Sequence, residues 1–216
     1  MILFGVSNML SDIYDCANAL GKKISMIIIN TQELRRARTK GFETRLQELN
    51  EKPRIISLSE FTPQEGEEYF VVPTTPEKSP LIDCLKNTYQ LEFARLIHPT
   101  AYVSPYAKIG EDVYIGAKSV IGAGTVIKDH VFINRGVTVG HDNIIHEYVR
   151  LQPGCNVGGH VEILYGAMIG LGANVIEEIV IGRGAVVAAG AVVIQDVKDK
   201  TMVCGVPAVI KKTYED

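Results

Sequence analysis

The sequence has no C-x-x-C pair, and its four cysteines, Cys16, Cys84, Cys155 and Cys204, are far apart. That spacing argues against a structural zinc knuckle or a disulfide framework as the organising device. No apolar run approaches the roughly 18 residues of a membrane span, so no membrane association is expected. An excess of basic residues is also missing. The formal net charge is -3 over 216 residues, without the electrostatic footprint of a nucleic-acid or anionic-membrane binder. The opening segment, MILFGVSNML, lacks the basic start and long apolar core of a secretory signal, which makes a cytoplasmic protein the expectation.

The second half also lacks the helical period of 3.6 and the strand period of 2. Its period is six. Ile97, Val103, Ile109, Ile115, Ile121, Ile127, Ile133, Val139, Ile145, Leu151, Val157, Ile163, Ile169, Val175, Ile181, Val187 and Val193 are all Ile, Val or Leu. At 46% apolar content, a run of that length has a chance of about two in a million in any one register. A second row, four places later, holds mostly Ala, Val, Ser, Thr and Cys, and Asn143 is out of character there. A chain that turns a corner at every sixth position and points one aliphatic side chain inward at each step is a β-helix of hexapeptide repeats. Three hexapeptides make one coil, so positions three repeats apart should stack. No insertion interrupts the row, so no long loop is expected, and the core forms only by stacking. Cys155 falls in the small inward row and reads as a packing residue, not a nucleophile.

Residues 1–92 follow another logic. Ile2 to Val6 and Lys23 to Asn30 are short apolar runs of buried-strand type. Between them, Ser7 or Asn8 can cap a helix that Gly21 ends. Glu33 to Asn50 is charged, helical or loop. Ile55 to Leu58 and Tyr69 to Val72 read as two further strands, and Ser79 to about Phe93 has helical spacing. The order predicts a small Rossmann-like α/β domain with a parallel sheet. The β-helix should occupy 93–198. Residues 199–216, with Gly205 and Pro207 against helix, should fold back as a cap on the last coil.

The polar residues with chemistry sit at turns of the repeat. His141 is the third residue of its hexapeptide and should point outward, with Asp142 directly after it. A neutral imidazole beside a carboxylate is a general-base arrangement suited to neutral pH. The alternative is an exposed interface histidine. His160 comes three hexapeptides after Asp142. It should stack one coil above it, as a second member of the site or as a turn residue. His98 and His130 are out of register with this column and read as structural or surface residues.

With these residues in view, the chain resembles the left-handed β-helix acyltransferases that modify nucleotide sugars and sialic acid. The shared features are Asn134, His141–Asp142, Tyr148–Val149, Pro153–Gly154 and the ending Gly205 to Ala208, together with the α/β domain ahead of the repeats. The resemblance implies a left-handed coil, against the usual right-handed crossover, and a homotrimer with acetyl-CoA between neighbouring prisms. It implies His141 as base, Asp142 raising its basicity, and Asn134 as a third member of the catalytic set. It further implies Leu171 and Ala189 lining the coenzyme groove, with Arg150 and Gly205 also assigned to that groove. Arg150 stands where the family often has a second histidine, and an arginine cannot act as a base. The family's glycine-rich nucleotide-sugar loop is here Gly5 to Leu10. Its acidic pair is Asn30–Thr31, and its later I-G-N-N segment is Val72 to Thr75. Ser7, Asn8, Asn30 and His160 are the substrate-side candidates.

The expectation is an acetyltransferase that moves an acetyl group from acetyl-CoA to an amine or hydroxyl of a nucleotide-linked sugar in surface glycan biosynthesis, with no metal. Two other readings stand beside it. One is a zinc enzyme like the γ-class carbonic anhydrases, which share the hexapeptide fold and use an H-x4-H pair, here His141 and His146. The other is a non-catalytic sugar-binding scaffold.

Overall fold

The structure is a computed structural model that describes residues 1–29 and 52–215. The chain divides into two compact units, Met1–Leu96 and Ile97–Asp216. The expectations placed on Asn30, Thr31 and the segment from Glu33 to Asn50 lie outside the described residues.

In the first unit, strands β1 (Ile2–Phe4), β2 (Met26–Ile29), β3 (Arg54–Ser57) and β4 (Tyr69–Val71) form one parallel sheet in the order β3-β2-β1-β4. Every residue of β1, β2 and β4 is buried, which is why they read as unbroken apolar runs. Helix α1 (Leu10–Ala19) buries Leu10, Ile13, Tyr14, Cys16 and Ala17. It ends as the sequence suggests: Gly21 takes φ 68° and Lys22 N–H donates to Ala17 O at 2.9 Å. Its start differs from expectation. Ser7 Oγ accepts from Met9 N–H at 3.1 Å, a local turn, and the helix itself has no side-chain cap. Helix α2 (Ser79–Tyr89) is shorter than the spacing predicts, because Gln90 turns left-handed at φ 54° and leaves Phe93 to bridge to Tyr69. Phe4, Phe61 and Tyr89 pack edge to face at ring separations of 5.1 and 5.3 Å.

The second unit is a left-handed parallel β-helix of about six turns. Two-residue strands pair in parallel with partners three hexapeptides on, as in Tyr114↔Phe132↔Arg150↔Met168 and Val120↔Thr138↔Asn156↔Asn174. The second residue of each pair is the aliphatic one and points inward. Ile115 through Val193 are buried, while Ile97, Val103 and Ile109, at the open end, are only partly so. Three sheets form three faces: an aromatic face with Tyr114 stacked on Phe132 at 4.9 Å, an asparagine face carrying Thr138, Asn156 and Asn174, and a third face carrying Ile144 and Glu162.

Each corner uses one left-handed residue, three places after the inward aliphatic. From Asp112 to Gly190 every such position has positive φ. Half of them are glycine, and the rest are Asp112, Lys118, His130, Asp142, Tyr148, His160 and Glu178. Non-glycine residues accept this conformation at a cost, least for Asp, Asn and His. His130 uses it structurally, as expected: it is buried, with Nδ1 3.1 Å from Asp112 Oδ2 and its ring stacked on Tyr148 at 4.9 Å.

The tail adds to one face of the prism. Thr201–Cys204 adds in parallel to Val186–Val187 and pairs antiparallel with Val209–Thr213. Among the described residues, no helix is long and apolar enough to cross a membrane.

Burial pushes the Cys155 thiol up to about 12 and, with Asp15 adding to the effect, the Cys16 thiol up to about 11. Cys84 is exposed and Cys204 intermediate. A thiol-reactive disulfide reagent at pH 8 is therefore expected to modify Cys84 and Cys204 in the native protein, and all four cysteines only after denaturation. Mass mapping of the modified residues checks this.

Candidate active site

The corner between the asparagine face and the third face gathers the chemistry. His141 and Asp142 follow the inward Val139, and Asp142 takes φ 55°. That bend lets adjacent residues meet, which an extended strand does not allow. His141 Nδ1 lies 2.9 Å from Asp142 Oδ2. With Nδ1–H donating to the carboxylate, the lone pair is on Nε2. One coil up, His160 N–H donates to His141 O at 3.0 Å. The two imidazoles sit edge to face with centroids 5.0 Å apart. The stacking expected from the three-repeat spacing is thus realised, and His160 joins the dyad.

Two glycines make room for this pair. At Gly159 a Cβ would lie 2.8 Å from His141 Nε2, and at Gly124 one would collide with Asp142 Oδ1. The corner is also braced from inside. Asn143, the misfit of the small inward row, is 1% exposed yet fully used. Its Nδ2 donates to Gly158 O at 2.9 Å, its Oδ1 accepts from Val161 N–H at 2.7 Å, and its own N–H donates to Thr125 Oγ1 at 3.3 Å. Thr125 Oγ1 in turn donates to Gly140 O at 2.8 Å. Three coils are therefore pinned directly behind His141. The inward polar residues at 125 and 143 are the only sequence signal that pointed to this brace, and the two glycines carried none.

The other candidates distribute as follows. Leu171 and Ala189 stack at the corner where the aromatic face meets the asparagine face, and Gly190 N–H donates to Leu171 O at 2.9 Å. They border the same face as His141, at its opposite edge. Asn134 is at that far corner too, with Oδ1 accepting from Arg135 N–H at 2.8 Å and its carbonyl accepting from Ser119 Oγ. The chain does not bring Asn134 to the dyad, because the full width of a face separates them. Arg150 projects from the aromatic face, paired with Phe132 and Met168, and is likewise not beside His141. Gly205, at φ 98°, opens the tail turn, and its carbonyl accepts from Val192 N–H.

In the first unit, Ser7 and Asn8 follow β1, and Val72 to Thr75 follow β4. The sheet order reverses between these two strands, and parallel α/β sheets bind ligands at such a switch point. Ser7 Oγ donates to Val72 O at 3.3 Å across it. Asn8 is exposed there.

The zinc pairing of His141 with His146 is not formed. His146 Nε2 is 2.8 Å from Glu162 Oε1, on the third face.

Residues 106–141 match the bacterial transferase hexapeptide family (six repeats). No curated protein matches the chain. Solved structures do, over nearly the whole length. The acetyltransferase domain of PglB from Neisseria gonorrhoeae, in complex with acetyl coenzyme A, is 28% identical with a TM-score of 0.81, covering 97% of this chain and 98% of that one. A mutant of GDP-perosamine N-acetyl transferase from Caulobacter crescentus, in complex with CoA and GDP-perosamine, is 25% identical with a TM-score of 0.81, covering 98% and 96%. WeeI from Acinetobacter baumannii, at 21% identity and a TM-score of 0.74, shares the fold. The chain is a hexapeptide-repeat β-helix protein. Over nearly its whole length it is similar to these acetyltransferase structures, two of them solved with coenzyme A or acetyl coenzyme A bound.

Two substitutions test the corner. Gly159 does not occupy the left-handed region, so Gly159→Ala changes only the space beside Nε2. The melting temperature is expected to stay within a few degrees while turnover falls at least about 10-fold as the ring is displaced. Asn143→Ala leaves the buried Val161 N–H and the part-buried Gly158 C=O without their partner, which costs about 1–3 kcal/mol. Urea unfolding should show that loss as a lower midpoint.

Proposed function

We propose that the chain transfers an acetyl group from acetyl-CoA to the amine of a nucleotide-linked amino sugar, in surface glycan biosynthesis. The observation that carries this is the His141–Asp142 pair, with Nδ1 held by the carboxylate at 2.9 Å and Nε2 against the bare backbone of Gly159.

In this reading His141 Nε2 takes a proton from the attacking amine as the nitrogen bonds to the thioester carbon. Asp142 stabilises the imidazolium that forms. The carbonyl oxygen becomes an oxyanion, and backbone N–H groups beside the ring, that of Gly159 among them, suit its stabilisation. As the tetrahedral centre collapses, the C–S bond breaks and the proton held by the imidazolium goes to the departing thiolate, so His141 returns to its starting state. No covalent relay through the protein is needed. Cys155 is buried, with its thiol pushed up to about 12, and no nucleophilic side chain other than the histidines adjoins the dyad among the described residues.

Support for a nucleotide-linked acceptor comes from the switch point beyond β1 and β4, where Ser7, Asn8 and the segment Val72 to Thr75 meet. It also comes from the relative bound to GDP-perosamine. Support for a trimer comes from the dyad itself. The side chains of His141 and Asp142 are 63% and 53% exposed, and acyl transfer needs a covered, water-poor site. A neighbouring copy against the asparagine face or the third face supplies that cover, with Leu171, Ala189, Arg150, Asn134 and Gly205 as the residues to test along the coenzyme groove.

Release of free coenzyme A thiol from acetyl-CoA, measured against a panel of nucleotide-linked amino sugars, tests the reading. Turnover on one acceptor is expected, and His141→Ala should lower kcat by roughly 10²–10⁴-fold with the fold and coenzyme A binding retained. Near wild-type turnover in His141→Ala overturns the mechanism.

A further inference from the structure

The His141 corner has the donor set of a metal site that the acetyl-transfer chemistry does not call for. One ligand atom from each of His141, Asp142 and His160 lies within 4.8 Å of the other two. All three residues are exposed on the single chain, so an ion can reach them when no acyl donor or acceptor fills the corner. The frame beneath them is stiff. Asp142 and His160 occupy equivalent left-handed corner positions at φ 55° and 54°, and the His160 N–H to His141 O bond of 3.0 Å ties the two coils together. Asn143 pins the same coils from inside.

We propose that this trio binds one borderline divalent transition ion of the zinc type, and that the bound ion inhibits the enzyme. Two imidazoles and one carboxylate are the ligand types zinc takes, and three protein ligands leave a fourth position for water. Bond lengths of about 2.0–2.2 Å put ligand atoms roughly 3.3 Å apart in a tetrahedral site. The remaining gap is within the reach of rotation of exposed side chains. Glu178, exposed at the next corner of the same column, adds negative charge nearby. Its N–H donates to Gly159 O at 3.0 Å. The geometry also explains why the site is confined to these three. His146 is held by Glu162 at 2.8 Å, and His130 is buried against Asp112.

The inhibition follows from electron pairs. A base needs the imidazole lone pair of His141, and an ion coordinated there occupies it. Asp142, which would stabilise the imidazolium, is taken up as a ligand at the same time. The inhibitory half of this proposal rests on His141 acting as the base, whereas the binding half does not.

The test is calorimetric titration of zinc chloride into the full chain in a non-chelating buffer, for wild type, His160→Asn and His146→Gln. Zinc-dependent loss of thiol release, and its reversal by EDTA, is measured in parallel on wild type. Asparagine tolerates the left-handed corner, so His160→Asn keeps the backbone, which circular dichroism verifies. Expected is one ion per chain in wild type, at least 10-fold weaker binding in His160→Asn, unchanged binding in His146→Gln, and turnover that falls with zinc and returns with EDTA. No zinc binding in wild type, or equal affinity in His160→Asn, overturns the site. Binding as expected in an enzyme whose turnover zinc leaves untouched overturns the inhibition. Binding as expected with no turnover on any acceptor supports the site and counts against the acetyltransferase reading instead.

Discussion

Everything in the second unit depends on one constraint: the backbone N–H groups along each face donate to carbonyls of the next coil, as from Thr138 to Cys155 at 3.1 Å and from Asn156 to Ala173 at 2.9 Å. That bond repeats from coil to coil until the last, where Val180 N–H donates instead to Asp196 Oδ1 at 2.8 Å, so the register along the prism is never renegotiated. Positions one coil apart are held at the spacing of neighbouring parallel strands, about 4.8 Å. The aliphatic row fills the interior because that register places one aliphatic side chain on another, as Ile127 on Ile145 and Val157 on Val175. A side chain's address on the surface is then its place within the three-hexapeptide coil, and chemistry is assembled by writing residues into a column.

The active corner shows how much support such a column needs. His141 and Asp142 are surface side chains on a turn, a poor starting point for a pair that has to hold one geometry. Their position is fixed by groups that do no chemistry: the left-handed bend at Asp142, the empty volume at Gly124 and Gly159, and the buried amide of Asn143. A polar residue in an aliphatic core carries a desolvation cost, which Asn143 offsets by bonding on both sides. Its place in the core makes sense only in terms of the corner outside it.

The solenoid was legible from the sequence because its signal is a strict period, and a period survives any uncertainty about individual residues. The stacking of His160 on the His141 coil followed from the same arithmetic. Asn134 and Arg150 were less legible. Their roles came from a family pattern written along the chain, and nearness in sequence does not mean nearness on a prism, where a single hexapeptide moves a side chain to another corner. Gly124 and Gly159 were invisible for a different reason. A glycine that opens space for a side chain on the neighbouring coil looks like any other turn glycine. The helix from Ser79 was overextended because Gln90, unlike glycine, gives no warning of a left-handed stop.

The asparagine face, finally, sets limits on what it can recognise. Thr138 Oγ1 donates to Asn156 Oδ1 at 2.7 Å, Asn156 Nδ2 donates to Asn174 Oδ1 at 2.9 Å, and Asn174 Nδ2 donates to Gly172 O at 3.2 Å. A chain of amides that satisfy one another has little left to offer a visitor. A long, flexible molecule laid across this face meets a floor that supports it without reading it. If a ligand is read along this face, it is read at the two edges, where His141 and His160 stand on one side and Leu171 and Ala189 on the other. Exchanging one cargo for another is a matter of editing corners and leaving the floor alone.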